Sequence, residues 1–118
     1  MKDENISIGE KEFECIANDT WRRKGKHFEE MIVKFGTVYM VTVEVAGMTV
    51  TLNSDDMTHA EIAEALTRCW AQLRIIAIAK LEQETGRGLR EFASFYASFL
   101  FASDAFFAER VAEELDGL

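Results

Sequence analysis

The chain has 118 residues, of which 48% are hydrophobic, 11% aromatic and 29% charged. This length and composition are typical of one globular domain, so we expect residues 1–118 to form a single unit with its own core. The formal net charge of −8 disfavours a protein that binds a nucleic-acid backbone or an anionic membrane through a basic surface. No apolar segment approaches the length of a membrane-spanning helix, and the polar N-terminus lacks a signal-peptide pattern, which favours a cytoplasmic protein.

Residues with catalytic or metal-binding chemistry are few and scattered. Cys15 and Cys69 are too few and too far apart for a disulfide framework or a cysteine zinc site. Cys69 also falls on the apolar stripe of a predicted helix, where a small core thiol is expected. His27 and His59 lack the spacing of metal ligands, and the acidic pair 55–56 has no spaced third ligand. The sequence therefore predicts a protein that is not an enzyme, with no catalytic residue, metal site or cofactor.

The N-terminal segment has two interpretations. Apolar residues between positions 13 and 21 recur at helical spacing, which predicts a short helix. The alternation over Glu12–Cys15 and the presence of Gly9 leave a strand as the alternative. The basic cluster of the chain follows, and we interpret it as a loop. It comprises Trp21, Arg22, Arg23, Lys24, Gly25, Lys26 and His27.

The next segment predicts a three-stranded antiparallel β-meander. Gly36-Thr37 and Ala46-Gly47 are turn signals between runs rich in β-branched and aromatic residues, and Gly36 suits a type II′ turn. The predicted strands are Phe28–Phe35, Val38–Val45 and Met48–Asn53. The turns set a register that pairs Phe35 with Val38, Ile32 with Val41, Val43 with Val50 and Val41 with Leu52.

That register divides the side chains of the meander between two faces. The core face is apolar and comprises Phe28, Ile32, Tyr39, Val41, Val43, Val45, Met48, Val50 and Leu52. The outer face is polar at one end, at Glu29, Thr42, Glu44, Thr49 and Thr51, and apolar at the other, at Met31, Val33, Phe35, Val38 and Met40. A face exposed only to water would be polar throughout, so we expect the apolar half to be covered.

Two helical segments follow the meander. Thr58 and Glu61 have the spacing of a capping box, which predicts the start of a long helix that ends near Gly86. From Ile75 onward this helix is apolar nearly all round, which is typical of burial on more than one side. A third helix is predicted over Leu89–Leu115, with a break at 102–104 where Ser103 could cap a new helix. The expected fold class is α+β, with the meander packed against a C-terminal α-hairpin.

The helices carry more apolar surface than one chain can bury against itself. A three-stranded sheet has two faces, and an α-hairpin covers only one of them. We therefore expect a homodimer formed through the aromatic helix, since large aromatic side chains are favoured interface anchors. In the alternative, the predicted N-terminal helix covers the second face and no partner is needed. The predicted interface residues are Phe92, Phe95, Phe99, Phe101, Phe106, Ile75 and Ile78.

These observations predict a small acidic binding protein whose partner is a protein with a basic surface. Basic surfaces are common in nucleic-acid-handling machines, so an inhibitor or adaptor acting on one is a concrete version. The chain is similar in size and charge, though in no motif, to anti-CRISPR and anti-restriction proteins of phages and mobile elements. The candidate acidic contacts are Glu61, Glu64, Glu109, Glu113, Glu114 and Asp116.

Two alternatives use different features of the sequence. An acidic dimeric protein similar to secretion chaperones would hold an unfolded segment on its apolar surface, with little dependence on salt. A nucleic-acid-binding module would stack bases on an aromatic ring and bind phosphates through the basic cluster. Its contact residues would be Trp21, Arg22, Arg23, Lys24 and Lys26.

Overall fold

The computed structural model describes residues 4–85 and 101–116. They form one six-stranded antiparallel sheet and two helices, and each strand pairs with its neighbour in sequence. This arrangement confirms the α+β class, but the sheet has twice the predicted number of strands. The elements are β1 (Ile6–Ile8), β2 (Lys11–Ala17), β3 (Thr20–Lys24), β4 (Phe28–Phe35), β5 (Val38–Val45), β6 (Met48–Asp55), α1 (His59–Thr85) and α2 (Asp104–Asp116).

The N-terminal segment forms strands β1 to β3, so the predicted short helix was wrong and the strand alternative is correct. Phe13 and Cys15 of β2 are buried, whereas the residues beside them alternate outward. Gly9 adopts a φ of 64° in the β1–β2 turn, a left-handed conformation that suits a turn and not a helix. The helical spacing was misleading because Ile16 and Ala17, which share that spacing with Phe13 and Trp21, are not part of the core.

The basic cluster is not the predicted loop, because most of it belongs to β3. Trp21 pairs with Ile32 and Arg23 pairs with Glu30, in a ladder that continues to Lys24. Side chains alternate along a strand, so the cations of β3 are divided between the two faces of the sheet. Only residues 25–27 connect β3 to β4.

Strands β4 to β6 have the predicted register. All four predicted residue pairs occur, and β6 continues to Asp55 rather than ending at Asn53. Ala46 and Gly47 have φ of 50° and 81°, and positive φ at both central residues is what a type I′ hairpin turn requires. Gly36 has a φ of 60° in the β4–β5 turn, consistent with the predicted type II′ geometry.

Polar caps define the starts of both helices. The backbone N–H of Glu61 donates to Thr58 Oγ1 and that of Thr58 donates to Glu61 Oε1, both at 3.2 Å, which confirms the capping box. Ser103 caps α2, because its Oγ accepts from the backbone N–H of Phe106 at 3.3 Å. The predicted break at 102–104 is therefore confirmed. Gly86 and the first part of the predicted third helix, including Phe92, Phe95 and Phe99, lie outside the described residues.

Both helices pack on the same face of the sheet. Their buried residues form one core cluster with the apolar residues of the core face of the sheet. From the helices this cluster contains Ile62, Ala65, Leu66, Cys69, Trp70, Leu73, Ala77, Leu81, Phe107, Ala108 and Val111. Neither described helix is both long and apolar enough to cross a membrane.

Candidate functional site

The core face contains one fully buried charged side chain, Glu30 on β4. Its carboxylate accepts from Lys11 Nζ at 2.7 Å, from Trp70 Nε1 at 2.8 Å and from the guanidinium of Arg23. Two cations and an indole N–H therefore satisfy both carboxylate oxygens. This is the arrangement that lets a buried charge persist, because each lost water contact is replaced by a strong donor.

The Glu30 network joins every layer of the fold. Lys11 comes from β2, Arg23 from β3 and Trp70 from α1. Lys11 also lies 3.8 Å from Asp104 at the start of α2, and Asp104 accepts from Arg74 of α1 at 2.7 Å. The network thus fixes the sheet, α1 and α2 in one relative position, which is a structural role.

The predicted core face omitted Glu30, although its position on β4 could have shown it. Residues 28, 30 and 32 alternate onto one face, so a core that includes Phe28 and Ile32 also includes the residue between them. Its two cationic partners, Lys11 and Arg23, lie on β2 and β3, which were not predicted as strands of this sheet. The convergence of these side chains on Glu30 could therefore not be predicted without assigning β2 and β3 as strands.

The apolar half of the outer face is exposed in the described structure. Phe35 and Val38 face each other across the β4–β5 turn and are 64% and 38% exposed. Met31, Val33 and Met40 continue the patch and are half-buried. Both described helices lie on the opposite side of the sheet. We refer to Met31, Val33, Phe35, Val38 and Met40 as the outer patch.

Acidic residues predominate around the outer patch. Five acidic side chains and two basic ones alternate onto the outer face of strands β2 to β6. The acidic ones are Glu12, Glu14, Glu29, Glu44 and Asp55, and the basic ones are Arg22 and Lys24. The outer face therefore offers an apolar area with a net negative surround. None of these acids was among the predicted contacts: Glu29 and Glu44 were placed on this face but not selected, and Glu12 and Glu14 lie on β2, which was not predicted as part of the sheet.

The six predicted acidic contacts do not form one surface. Glu61 and Glu64 lie beside residues 52–54 near the end of β6, at a groove of about 330 Å³. Asp116 lies beside Gly47, at the other end of that strand. Arg110 approaches two of the remaining acids at 3.6 Å within α2, which partly neutralises them. These two are Glu113 and Glu114, and Glu109 is exposed on the same helix.

The basic cluster contributes to three different environments. Trp21 is buried, and its Nε1 donates to the backbone carbonyl of Glu4 at 2.9 Å, so its ring is not presented for stacking. Arg23 is bound to Glu30, and Arg22 lies on the outer face. The remaining cations, Lys24 and Lys26, line a groove of about 400 Å³ together with His27, Glu44, Leu115 and Asp116.

Gly25 in this segment is required by close packing. The ring of Phe28 lies so close that a Cβ at position 25 would come within 2.1 Å of it. That ring packs edge-on against Trp70, with the centroids 5.3 Å apart, and cannot easily move. The turn before β4 is therefore held against the core.

The predicted oligomer interface is described only in part. Phe101 and Ile75 are 88% and 66% exposed, and Phe106 is also exposed. Ile78, in contrast, packs against the core. Because Phe92, Phe95 and Phe99 lie outside the described residues, the dimer through this region stays a prediction.

The structure brings no catalytic constellation together within the described residues. No group of three or more potential metal ligands occurs among them. Burial raises the pKa of the Cys69 thiol from 9.0 to about 11, so it is a neutral core thiol rather than a nucleophile at neutral pH. His59 is exposed at the start of α1.

Comparison with known proteins gives no family for this chain. No protein-family model matches the sequence, and searches of curated proteins and of solved structures give no match.

Proposed function

We propose that this protein is a non-enzymatic binding protein that docks another protein on the outer face of its sheet. The observation that carries the proposal is the outer patch, in which Phe35 and Val38 are exposed beside three half-buried apolar residues. A sheet face that contacted only water would carry polar residues at these positions. Contiguous apolar surface of this kind is typical of protein interaction sites.

The charge around the outer patch favours a basic partner. The acidic side chains of this face outnumber the basic ones, and the whole chain has a net charge of −8. Opposite charges at the rim of an interface accelerate association and select among partners, while the apolar centre supplies most of the affinity. Nucleic-acid-handling proteins have such basic surfaces, so we propose an inhibitor or adaptor of one of them.

The alternative of direct nucleic-acid binding is weaker. It required Trp21 for base stacking, and that ring is buried. It also required Arg23, which is bound to the Glu30 carboxylate. A chaperone-like protein that holds an apolar segment remains the useful contrast, because it would use the outer patch without the acidic surround.

A capture experiment with matched variants tests the proposal. The wild-type chain and a Phe35→Thr/Val38→Thr variant serve as bait in lysate of the source organism, with Ile75→Thr/Phe106→Thr as a control at a different exposed site. We expect a basic protein to bind the wild type and the control, and to bind the outer-patch variant with a Kd higher by about tenfold or more.

The affinity for that protein should also fall as salt concentration rises, because the rim charges are exposed to solvent. Binding without salt dependence would support the chaperone-like alternative instead. Capture of the same proteins, with the same Kd, by the outer-patch variant would refute the proposal.

A further inference from the structure

We propose that the outer edge of β6 pairs with β6 of a second copy of this chain, so that two sheets join edge to edge. Strand β6 is the last strand of the sheet, and no described strand lies beyond it. Its ladder with β5 runs without interruption over eight residue pairs, from Val45–Met48 to Val38–Asp55. The edge is therefore long and regular. This inference is independent of the proposed docking on the outer face.

The hairpin geometry fixes which backbone groups of β6 are free. The two-residue turn makes Val45 and Met48 a hydrogen-bonded pair, and bonded pairs recur at every second residue. Met48, Val50 and Leu52 therefore direct their backbone groups towards β5. Thr49, Thr51 and Asn53 direct theirs away from the sheet, where they can receive another strand.

Strand β6 lacks the features by which proteins prevent edge pairing. Such edges are normally short, bulged, or interrupted by proline or lysine. The opposite edge strand, β1, has only three residues. Strand β6 has eight residues with no proline, no lysine and no bulge, and its one charge is Asp55 at the end. An unprotected edge of this length is a template for another strand.

The sequence of β6 is complementary to itself. An antiparallel pair centred on Thr51 places Thr51 of each copy opposite the other, and places Thr49 opposite Asn53. Paired threonines on one face are favourable cross-strand neighbours. Asp55 falls opposite Gly47, so no like charges meet across the two-fold axis.

Helix α1 adds complementary charges beside this edge. Glu64 and Arg68 line the groove next to Leu52, Asn53 and Ser54. Neither of these charged side chains forms an ion pair within residues 4–85 and 101–116. A two-fold axis at Thr51 sets the two α1 helices antiparallel on the same side of the joined sheet, so each copy contributes one acidic and one basic side chain beside the shared edge. The second copy is therefore the occupant that this edge fits.

Sedimentation of the purified chain with two independent disruptions tests the inference. Thr51→Pro removes the outward N–H without removing a bond to β5, and edge strands tolerate proline at such positions. We expect it to raise the dimer dissociation constant by about tenfold or more, because the two-fold pairing loses a hydrogen bond at each copy. Thr51→Val is the matched control, since it loses the same hydroxyl but keeps the N–H.

A charge exchange supplies the second disruption, which is useful if Thr51→Pro fails to fold. Thr49→Lys/Asn53→Lys places lysines opposite each other across the two-fold pair and should weaken the dimer, whereas Thr49→Lys/Asn53→Glu places opposite charges there and should restore it. In the wild-type dimer the amide protons of Thr49, Thr51 and Asn53 should exchange slowly. A monomeric wild-type chain, or a dimer that is lost only on changing Ile75 and Phe106, would overturn the inference.

Discussion

The two faces of strand β4 reverse the usual distribution of polar and apolar residues. On the core face, Glu30 is a fully buried carboxylate, and on the outer face Phe35 is an apolar side chain that is 64% exposed. The buried charge has three donors from the rest of the fold. The exposed ring has no helix over it among the described residues. The partners of a residue in an unexpected environment therefore indicate its role: Glu30 has donors from the rest of the fold, whereas Phe35 is not covered by a described helix.

This contrast separates a structural network, around Glu30, from the proposed binding surface, the outer patch. A buried ion pair is weak evidence of added stability, but removal of one member is costly because the other charges stay buried. An exposed apolar side chain can be replaced at little cost to folding, and a contiguous patch of such side chains is typical of contact with another molecule. The two faces should therefore respond to substitution in opposite ways.

The largest expected effect is that of removing the buried carboxylate. Glu30→Ala should lower the free energy of unfolding by about 3–5 kcal/mol, because Lys11 and Arg23 lose their common anion. Glu29→Ala is the control at the next residue, on the outer face. It removes a carboxylate that lies opposite Glu44, so stability should change by no more than about 0.5 kcal/mol.

Denaturant unfolding monitored by circular dichroism measures both variants. Equal losses in the two would show that the Glu30 network does not hold the sheet and helices together.

The indole bonds provide a smaller and more selective test. Trp70→Phe removes a hydrogen bond to the charged Glu30 and should cost about 1.5–3 kcal/mol. Trp21→Phe removes a bond to the neutral carbonyl of Glu4 and should cost only about 0.5–1.5 kcal/mol. The same unfolding measurement compares them, and a larger loss for Trp21→Phe would contradict the assignment of charge to Glu30.

The smallest of these effects compares the same substitution on the two faces of β5. Val43 is fully buried on the core face, so Val43→Thr should cost about 1–3 kcal/mol by burying a hydroxyl. Val38 is 38% exposed on the outer face, and Val38→Thr should change the unfolding free energy by no more than about 0.5 kcal/mol. A large loss at Val38 would mean that the outer patch serves folding rather than binding.

The parts of the fold that sequence reasoning predicted were those set by local chemistry. Glycine-containing turns set the β4–β6 register, and Thr58 and Ser103 set the helix starts, because each signal acts within a few residues. The β2 segment was predicted as a helix, with a strand as the alternative, because the apolar residues between positions 13 and 21 also fit a helical period, and most of β3 was predicted as a loop from its basic residues. Only pairing with β4 decides between the two, and that pairing is not a local property.

The candidate site was also predicted only in part, where local chemistry determines it. The apolar half of the outer face follows from the β4–β5 register, and it was recognised. Glu30 was not, because its donors come from β2, β3 and α1, and their convergence depends on the complete sheet. The surround of Glu12 and Glu14 was missed for the same reason.

Site-specific photo-crosslinking tests the central claim most directly. A photoreactive phenylalanine analogue replaces Phe35 in one variant and Phe101, which is 88% exposed away from the outer patch, in a second. Docking on the outer face predicts a covalent adduct with a basic protein from position 35, at a yield that falls as salt rises. An adduct from position 101 alone, with none from position 35, would contradict it.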